Sequence, residues 1–216
     1  MIPFDINIEE LQKDEQGKVA TILTDAFESN PAYSLIFLNK NNLRDGLLWL
    51  FKTNLFLLNR KTTVTKVVKV KESGEIIGVF SLLPPGGVKS EPMAYLKIGI
   101  PGFISKFGFH TLHKMLGMDS FNKKLLIDAI GTKEYFYLSM VVIKEEYRGT
   151  GIGSYMIKSC IDELKSTTNK CHIVGLTTQL PENVIFYSRL GFQTLNEGEV
   201  RYKHDCYYNY NMKLDF

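Results

Sequence analysis

The chain has 216 residues, of which 44% are hydrophobic and 23% are charged, and this composition predicts a folded domain rather than a disordered segment. Its 26 basic and 23 acidic side chains leave a formal charge of +3, which is too small and too dispersed to predict a nucleic-acid partner. The longest apolar stretch, residues 47–58, is too short to cross a membrane, so we expect one domain over residues 1–216 with no membrane partner.

The first part of the chain is predicted to form a strand, two helices and a hairpin. In order, these are a strand at residues 4–8, a helix that starts near Glu9 and Glu10 and ends before Pro31, a helix at residues 43–59, and paired strands at residues 62–70 and 75–83. The two paired strands are rich in β-branched residues and are separated by a Glu-Ser-Gly turn, which is why a hairpin is expected.

Residues 84–133 are predicted to be a helical insertion. The run Pro84-Pro85-Gly86-Gly87 stops the preceding strand, and the residues after it follow an irregular helical pattern. The segment stands before the central strand, where a short loop would be enough. It is rich in Phe, Ile and Met, so it is also a candidate surface for a homodimer contact.

A strand, a glycine-rich turn and a helix follow one another in residues 135–164. Residues 135–143 are nearly all apolar, which predicts a central strand that is buried on both faces. From Ile152 onward apolar residues recur at every fourth position, as in an amphipathic helix. Between them stand Gly149, Gly151 and Gly153, although each glycine costs about 1 kcal/mol relative to alanine in a helix interior. Such a turn can present backbone N–H groups to a phosphate, or it can be an ordinary turn that uses glycine for positive φ.

The last third of the chain is predicted to contain a strand at residues 172–178, a helix at residues 181–190, and a closing strand or strands at residues 201–214. Asn183 and Tyr187 are four residues apart and therefore share a face of this helix. They can line one cleft, although an aromatic residue at this spacing is also typical of core packing. The whole order predicts a mixed α/β fold with six or seven strands and helices on both faces of the sheet.

The cysteine and histidine positions predict neither a disulfide framework nor a metal site. Cys160, Cys171 and Cys206 are odd in number and form no CxxC motif, which is typical of reduced thiols in a cytoplasmic protein. The four histidines show no metal-ligand spacing with them. The acidic amino terminus lacks the basic and apolar regions of a secretory signal. We expect a cytoplasmic protein without a metal.

The glycine-rich turn resembles a known cofactor-binding motif. A dinucleotide-binding GxGxxG is not met, because after Gly149 and Gly151 the third glycine is Gly153 and position 154 is Ser154, and no GK[ST] of a P-loop is present. The remaining pattern is RxxGxG, formed by Arg148, Gly151 and Gly153. With the preceding strand it resembles motif A of the GNAT superfamily, the acyl-CoA-dependent N-acyltransferases. Residues 179–192, QLPENVIFYSRLGF, look like motif B of that superfamily. The element order is loosely similar to the puromycin N-acetyltransferase-like group.

This resemblance implies a GNAT-like fold and acetyl-CoA as the acyl donor. It implies that Tyr187 is the general acid that protonates the departing thiolate. The acceptor would be the primary amine of a small molecule. Two alternatives stay open, a protein or peptide N-acetyltransferase and a non-catalytic acyl-CoA-binding regulatory module. The donor-binding residues implied are Val141, Val142, Ile143, Arg148, Gly149, Thr150, Gly151, Ile152, Gly153, Ser154 and Asn183.

The general base is not identified by the resemblance. An amine with a pKa of about 10.4 must lose its proton before it attacks, which costs roughly 4.6 kcal/mol at pH 7. Members of the similar group often carry a His where this chain has Tyr135, and many relatives have a Glu where it has Thr177. The remaining candidates are Glu134, His110 and His113, although charged groups are most often simply on the surface.

Overall fold

The computed structural model describes residues 5–37, 40–60, 62–89, 92–132, 134–168 and 170–216. Within these ranges the middle layer is a seven-stranded mixed sheet in the order β1-β2-β3-β4-β5-β7-β6, in which β4 and β5 run parallel. The predicted mixed α/β fold is confirmed. The strands are β1 (Ile6–Glu10), β2 (Thr65–Val70), β3 (Ile76–Leu83), β4 (Phe136–Ile143), β5 (Ile173–Thr178), β6 (Gln193–Tyr202) and β7 (Asp205–Asp215).

Helices cover both faces of the sheet. They are α1 (Gln16–Phe27), α2 (Pro31–Ile36), α3 (Lys40–Leu58), α4 (Pro92–Leu96), α5 (Ile100–Phe107), α6 (Phe109–Ile130), α7 (Ile152–Thr167) and α8 (Pro181–Arg189). In the described part of the chain, none of them is both long and apolar enough to span a lipid bilayer.

The two faces of the sheet carry separate hydrophobic cores. Val67 and Val68 are consecutive in β2, and because side chains alternate along a strand they enter different cores. Val67 packs with buried residues of α1, α3, α5 and α6, such as Leu47. Val68 packs with buried residues of α7 and α8, such as Met156 and Tyr187. The sheet is therefore the middle layer of three.

The helical insertion before the central strand consists of α4, α5 and α6, and α6 is part of the main core. Met115 and Met118 are buried there with residues of α1 and α3. Lys114 forms an ion pair with Asp205 in β7 at 2.7 Å, and both side chains are largely buried. These contacts hold α6 against the last two strands. Among the described residues of the insertion, the exposed large hydrophobic side chains, which would form the predicted homodimer surface, are Met93, Tyr95, Leu96, Phe109 and Leu116.

Two predictions near the amino terminus are wrong. Glu9 and Glu10 do not begin a helix but lie in β1, where Glu10 pairs with Lys66 of β2, and α1 begins only at Gln16. Pro31 does not only follow a helix; it begins α2, whose first turn is capped by the Asn30 side chain. The cap oxygen accepts the N–H of Ala32 at 3.0 Å. An Asn-Pro pair is a helix-start signal, because proline tolerates the first helical position.

The last hairpin begins earlier than predicted. β6 begins at Gln193 rather than near residue 201, and it pairs with β7 along its whole length. It is an edge strand with mostly exposed side chains, so its sequence lacks the apolar alternation that identifies a strand. The remaining strand and helix predictions from residue 40 onward agree with the structure to within a few residues at their ends.

Gly46 in α3 offers a test of the packing between α3 and the insertion. A Cβ atom at this position would lie 2.2 Å from the Phe37 ring. That ring is buried and contacts Phe103 and Phe107 edge to face, so it has no room to move. Gly46→Ala should lower the free energy of unfolding by about 1–2 kcal/mol, because overpacking outweighs the gain in helix propensity. Urea denaturation measures this change.

A matched control for this substitution is Gly102→Ala in α5. No heavy atom lies within 4 Å of the Cβ position there, so alanine should be neutral or stabilising by up to about 1 kcal/mol. If both substitutions changed the unfolding free energy equally, the contact between Gly46 and Phe37 would not limit the packing.

Candidate active site

The central feature of the site is a cleft between β4 and β5. These strands pair only at Phe136 with Val174 and at Tyr137 with Gly175. β5 continues to Thr178 with β7 on its other edge, whereas β4 continues to Ile143 with β3 on its other edge. The two strands therefore separate after Tyr137, and an open edge of each faces the other. We call this space the cleft.

A bulge in β4 sets which backbone groups face the cleft. Met140 has φ of 52°, a left-handed conformation that costs a residue with a side chain about 1–3 kcal/mol. Opposite it, the register with β3 shifts between Val79 and Ser81. Beyond the bulge, the Lys144 N–H donates to the Ile77 oxygen of β3 at 2.9 Å.

Since successive residues of a strand direct their N–H and C=O groups to opposite edges, the groups of Val142 and Lys144 face β3. Those of Val141 and Ile143 therefore face the cleft. Within the described residues, no strand pairs with these two residues on that edge.

The departure of β5 also corrects the prediction that the central strand is buried on both faces. In β4 only Leu138 and Val142 are fully buried, and the other residues are partly exposed. The apolar sequence of β4 is typical of a buried strand, but half of its length borders the cleft.

The glycine-rich turn between β4 and α7 is held by two hydrogen bonds. The Arg148 Nε donates to the Ile143 oxygen at 3.1 Å, and the Thr150 hydroxyl donates to the Tyr147 oxygen at 2.6 Å. Gly149 and Gly151 have φ of 75° and 85°, so both are used for positive φ, as the simpler interpretation of the turn requires. The left-handed backbone is also compatible with phosphate binding, because open space lies where the Cβ atoms of Gly149 and Gly151 would be.

The start of α7 presents unpaired backbone donors beside this turn. The first helical bond runs from the Tyr155 N–H to the Gly151 oxygen at 3.0 Å. The N–H groups of Ile152, Gly153 and Ser154 therefore precede the helical bonding pattern. The side chain of Ile152 is fully buried, so only its backbone can contact a ligand. Together with the positive end of the helix dipole, these N–H groups can bind an anion.

The third glycine has a different local role. A Cβ atom at Gly153 would lie 3.4 Å from the Phe186 ring of α8, which is an ordinary packing distance, so Gly153 faces α8 rather than open space. Its backbone N–H is still available at the helix start.

Glu75 supports the turn from the neighbouring strand end. Its carboxylate accepts a hydrogen bond from Lys144 at 2.5 Å and another from the Tyr147 hydroxyl at 2.9 Å. The hydrogen bond from Lys144, followed by that from Tyr147, lowers the pKa of Glu75 below its usual value. Both donors belong to the segment that joins β4 to the glycine turn, so the carboxylate fixes where the turn begins.

Tyr187 lies on α8 with its ring packed against Phe186 and Phe192. It is only 7% exposed, and burial raises the pKa of its hydroxyl well above the usual value for tyrosine, so it is protonated at neutral pH. No described side-chain polar atom is sealed from solvent without a hydrogen-bond partner. Because no hydrogen bond of the Tyr187 hydroxyl is found among the described residues, that hydroxyl reaches solvent and can donate to a ligand.

Asn183 holds α8 to the end of β5. Its Nδ2 donates to the Thr178 hydroxyl at 3.0 Å, and Thr178 is itself buried. One N–H of the Asn183 amide is therefore used within the protein, whereas its second N–H and its Oδ1 make no hydrogen bond among the described residues. Val142 has neither its backbone groups nor its side chain directed into the cleft. Its backbone groups face β3, and its side chain is buried in the core on the α1 and α3 face.

Two tyrosines near the cleft were not predicted from the sequence. Burial, followed by the charge of Asp119 in α6, raises the pKa of both Tyr33 in α2 and Tyr137 in β4. The neighbouring hydroxyls of Tyr135 and Tyr187 add to the effect on Tyr137. Tyr137 is one aromatic residue within an aromatic strand, and Tyr33 follows an unrecognised helix start, so neither had a distinguishing signal.

The three candidate bases named from the sequence are exposed side chains. Glu134 is exposed and lies six residues before Met140, which is roughly 20 Å along an extended strand. His110 and His113 are exposed in the first turns of α6. The Thr177 hydroxyl donates to Asn211 Oδ1 at 2.8 Å. In the described ranges, no three His, Cys, Asp or Glu side chains are grouped to hold a metal.

Glu75 gives a pH test of the turn. Its pKa is lowered in the folded protein, so its contribution to stability is present above the unfolded pKa of about 4.3 and is lost as the pH falls through the folded pKa. Wild type should therefore lose more unfolding free energy between pH 6 and pH 3 than Glu75→Gln, which cannot titrate. The difference should be small, because the side chain is 35% exposed.

Urea denaturation of both proteins at the two pH values measures this difference. Parallel losses of stability in wild type and variant would mean that the carboxylate does not support the turn.

The part of the chain that forms the site matches a known family. Residues 121–194 match the family described as acetyltransferase (GNAT) domain, and this range includes β4, the glycine-rich turn, α7, β5 and α8. The match covers the segments in which the two motifs were recognised.

Solved structures share the fold over nearly the whole chain. The histone acetyltransferase HPA2 and related acetyltransferase structure from Corynebacterium glutamicum is 20% identical, with a TM-score of 0.63 over 96% of this chain and 94% of that chain. Arylalkylamine N-acetyltransferase 2 from Aedes aegypti is 14% identical, with a TM-score of 0.58 over 98% and 99%. A Salmonella typhimurium structure that contains its cofactor acetyl-CoA is 15% identical, with a TM-score of 0.53 over 98% and 94%.

A curated relative is much longer than this chain. It is a Dictyostelium discoideum protein named "probable serine/threonine-protein kinase", and it is 23% identical over 195 residues. That alignment covers 84% of this chain but 20% of the relative, so the chain spans about a fifth of that protein's length. The kinase name describes the longer protein.

Proposed function

We propose that this chain, which carries a GNAT acetyltransferase domain, transfers an acetyl group from acetyl-CoA to the primary amine of a small molecule. One observation supports this most strongly. The open edge of β4 at Val141 and Ile143 continues into the unpaired N–H groups at the start of α7, and the protonated Tyr187 lies between α7 and the end of β5. A long ligand with an anionic part and a reactive carbonyl fits such a surface.

The donor is proposed to bind along β4 and the glycine-rich turn. The backbone groups of Val141 and the N–H of Ile143 can pair with the amide-bearing arm of the donor, as an added strand would. The N–H groups of Ile152, Gly153 and Ser154 can bind its pyrophosphate. Arg148 uses its Nε on Ile143, and the other guanidinium donors stay available for a phosphate oxygen.

The chemistry needs one proton donor and one polarising group from the protein. Acetyl-CoA supplies a thioester whose carbonyl carbon an amine can attack. Tyr187 is the proposed general acid, because its hydroxyl is protonated at neutral pH and makes no hydrogen bond to another described residue. A backbone N–H at the bulge, near Met140 or Val141, is the proposed donor to the carbonyl oxygen.

The amine has to lose its proton without a strong protein base. The raised pKa values of Tyr33 and Tyr137 keep both hydroxyls protonated, so neither accepts a proton at neutral pH. Glu134, His110 and His113 are exposed, and no described contact links them to the cleft. We therefore propose that water in the open cleft carries the proton to solvent.

The proposed acceptor and location have separate support. Similarity in fold to an arylalkylamine N-acetyltransferase supports a small-molecule amine. The cysteines form no disulfide in the described residues, and burial raises the pKa of Cys160 to about 12, which makes it an unreactive thiol. These thiols support a cytoplasmic location.

Gly151→Val tests the proposed phosphate site. A side chain at this position projects into open space beside the N–H groups of α7 and also strains a left-handed residue. The acetyl-CoA dissociation constant should rise by about tenfold or more, since even 1.4 kcal/mol of lost binding gives that factor. Isothermal titration measures it.

Gly131→Val is the matched control. Gly131 also has positive φ and open space around its Cβ position, but it ends α6 away from the turn. Acetyl-CoA affinity that is unchanged in Gly151→Val, or lowered equally in both variants, would contradict the phosphate role.

Tyr187→Phe tests the proposed general acid. The hydroxyl makes no hydrogen bond that packs the described core, so its loss should lower kcat by about 100-fold while acetyl-CoA binding changes only a few-fold. Steady-state kinetics with an amine identified from a panel, together with titration of acetyl-CoA, measure both effects. Tyr208→Phe, an exposed tyrosine of β7, is the control. A large loss of binding in Tyr187→Phe would instead make this residue a packing group.

A further inference from the structure

A chain of hydrogen-bonded amide side chains crosses the protein next to the cleft. Asn30 Nδ2 donates to Gln179 Oε1 at 3.1 Å, and Gln179 Nε2 donates to Asn209 Oδ1 at 2.8 Å. Asn209 Nδ2 then donates to Asn211 Oδ1 at 3.4 Å, and Asn211 Nδ2 donates to Asn196 Oδ1 at 2.9 Å. We call this set the amide chain. Asn30, Asn209 and Asn211 are at most 5% exposed, so these groups have little access to water as an alternative partner.

Gln179 occupies the critical position in the amide chain. It follows the last residue of β5, where β5 is paired with β7 on one edge and borders the cleft on the other. Its neighbour Thr178 accepts a hydrogen bond from Asn183 and so holds α8, the helix that carries Tyr187. Gln179 itself reaches Asn30, at the start of α2. The end of β5 therefore anchors two helices through consecutive residues.

Asn30 connects this anchor to the first turn of α2. Its Oδ1 accepts the N–H of Ala32 at 3.0 Å, and its backbone oxygen accepts the N–H of Tyr33 at 3.2 Å. Tyr33 packs against Phe27 and Phe51 on the face of the sheet opposite α7. α2 therefore lies on the face of the sheet opposite α7, and its Tyr33 is near enough to Tyr137 of β4 to affect the pKa of that hydroxyl.

We propose that Gln179 is a positioning residue that fixes α2 as the acceptor-side wall of the cleft, through its paired hydrogen bonds to Asn30 and Asn209. The proposal rests on the function proposed above, because it assigns the amine to the α2 side. The Oε1 of Gln179 bonds to Asn30 and its Nε2 bonds to Asn209 of β7. The length of the Gln179 side chain therefore sets the distance between Asn30 and β7. An apolar residue of similar size would leave the Asn30 donor and the Asn209 acceptor unpaired in a buried place.

Two substitutions separate the bridge from the helix cap. Gln179→Leu removes both bonds and keeps nearly the same volume. Asn30→Ser keeps a side-chain oxygen that can cap Ala32 but is too short to reach Gln179. Gln193→Leu on the exposed edge strand is the matched control for a glutamine-to-leucine change.

The first measurement is hydrogen exchange of the backbone amides, which needs no substrate. In Gln179→Leu and Asn30→Ser the amides of α2 should exchange about tenfold faster, while those of α7 and the control variant stay as in wild type. Unchanged exchange in α2 in both folded variants would overturn the anchoring.

The second measurement separates acceptor from donor. The KM for the amine should rise by about tenfold in both variants, whereas the dissociation constant for acetyl-CoA should stay within twofold. The double variant should show no further rise, because both substitutions break the same bond. Equal losses for amine and acetyl-CoA, or additive effects in the double variant, would overturn the assignment of α2 to the acceptor.

A wild-type protein that binds acetyl-CoA but acetylates no amine would contradict the proposed function. Hydrogen exchange in α2 would still test whether Gln179 anchors this helix.

Discussion

The separation of β5 from β4 after Tyr137 is the constraint on which the site depends. Two parallel strands normally continue their hydrogen bonds, and here the pairing stops after two residue pairs. The left-handed Met140 accompanies this separation, and it reverses which side chains and backbone groups of β4 face each side. Without the bulge, the groups of Val141 and Ile143 would face β3 and the open edge would present the groups of their neighbours instead.

Both strand ends are stabilised around this opening. On β4, Glu75 and Arg148 fix the turn that leads to α7. On β5, Thr178 and Gln179 hold α8 and α2. Among the described residues, the outward groups without a hydrogen-bond partner include the cleft-facing backbone of Val141, the first N–H groups of α7 and the Tyr187 hydroxyl. Those outward groups are donors for the most part, which suits a ligand with anionic and carbonyl oxygens.

Residues of the proposed donor side carry a signal in the sequence, whereas those of the proposed acceptor side do not, for physical reasons. The glycines at 149 and 151 conflict with helix propensity, and the apolar run before them is typical of a strand. Both signals lie within a few consecutive residues, so a short motif identifies them. The proposed acceptor side is built from contacts between residues that are distant in the sequence, such as Asn30 with Gln179 and Tyr33 with Phe51. No local pattern in the sequence records such a contact. The same limit explains the missed start of α2, because the helix is short and its cap matters more than its apolar period.

The proposed donor site is tested most directly by asking whether acetyl-CoA binds along the open edge of β4. Titration of acetyl-CoA into ¹⁵N-labelled protein, followed by amide NMR spectra, reports each backbone N–H separately. Binding along this edge should give the largest shifts at Val141 and Ile143 and at the first amides of α7, including Gly153, with little change on the edge strands β1 and β6. Saturating acetyl-CoA that leaves those amides unshifted, or that shifts a different surface instead, would contradict it.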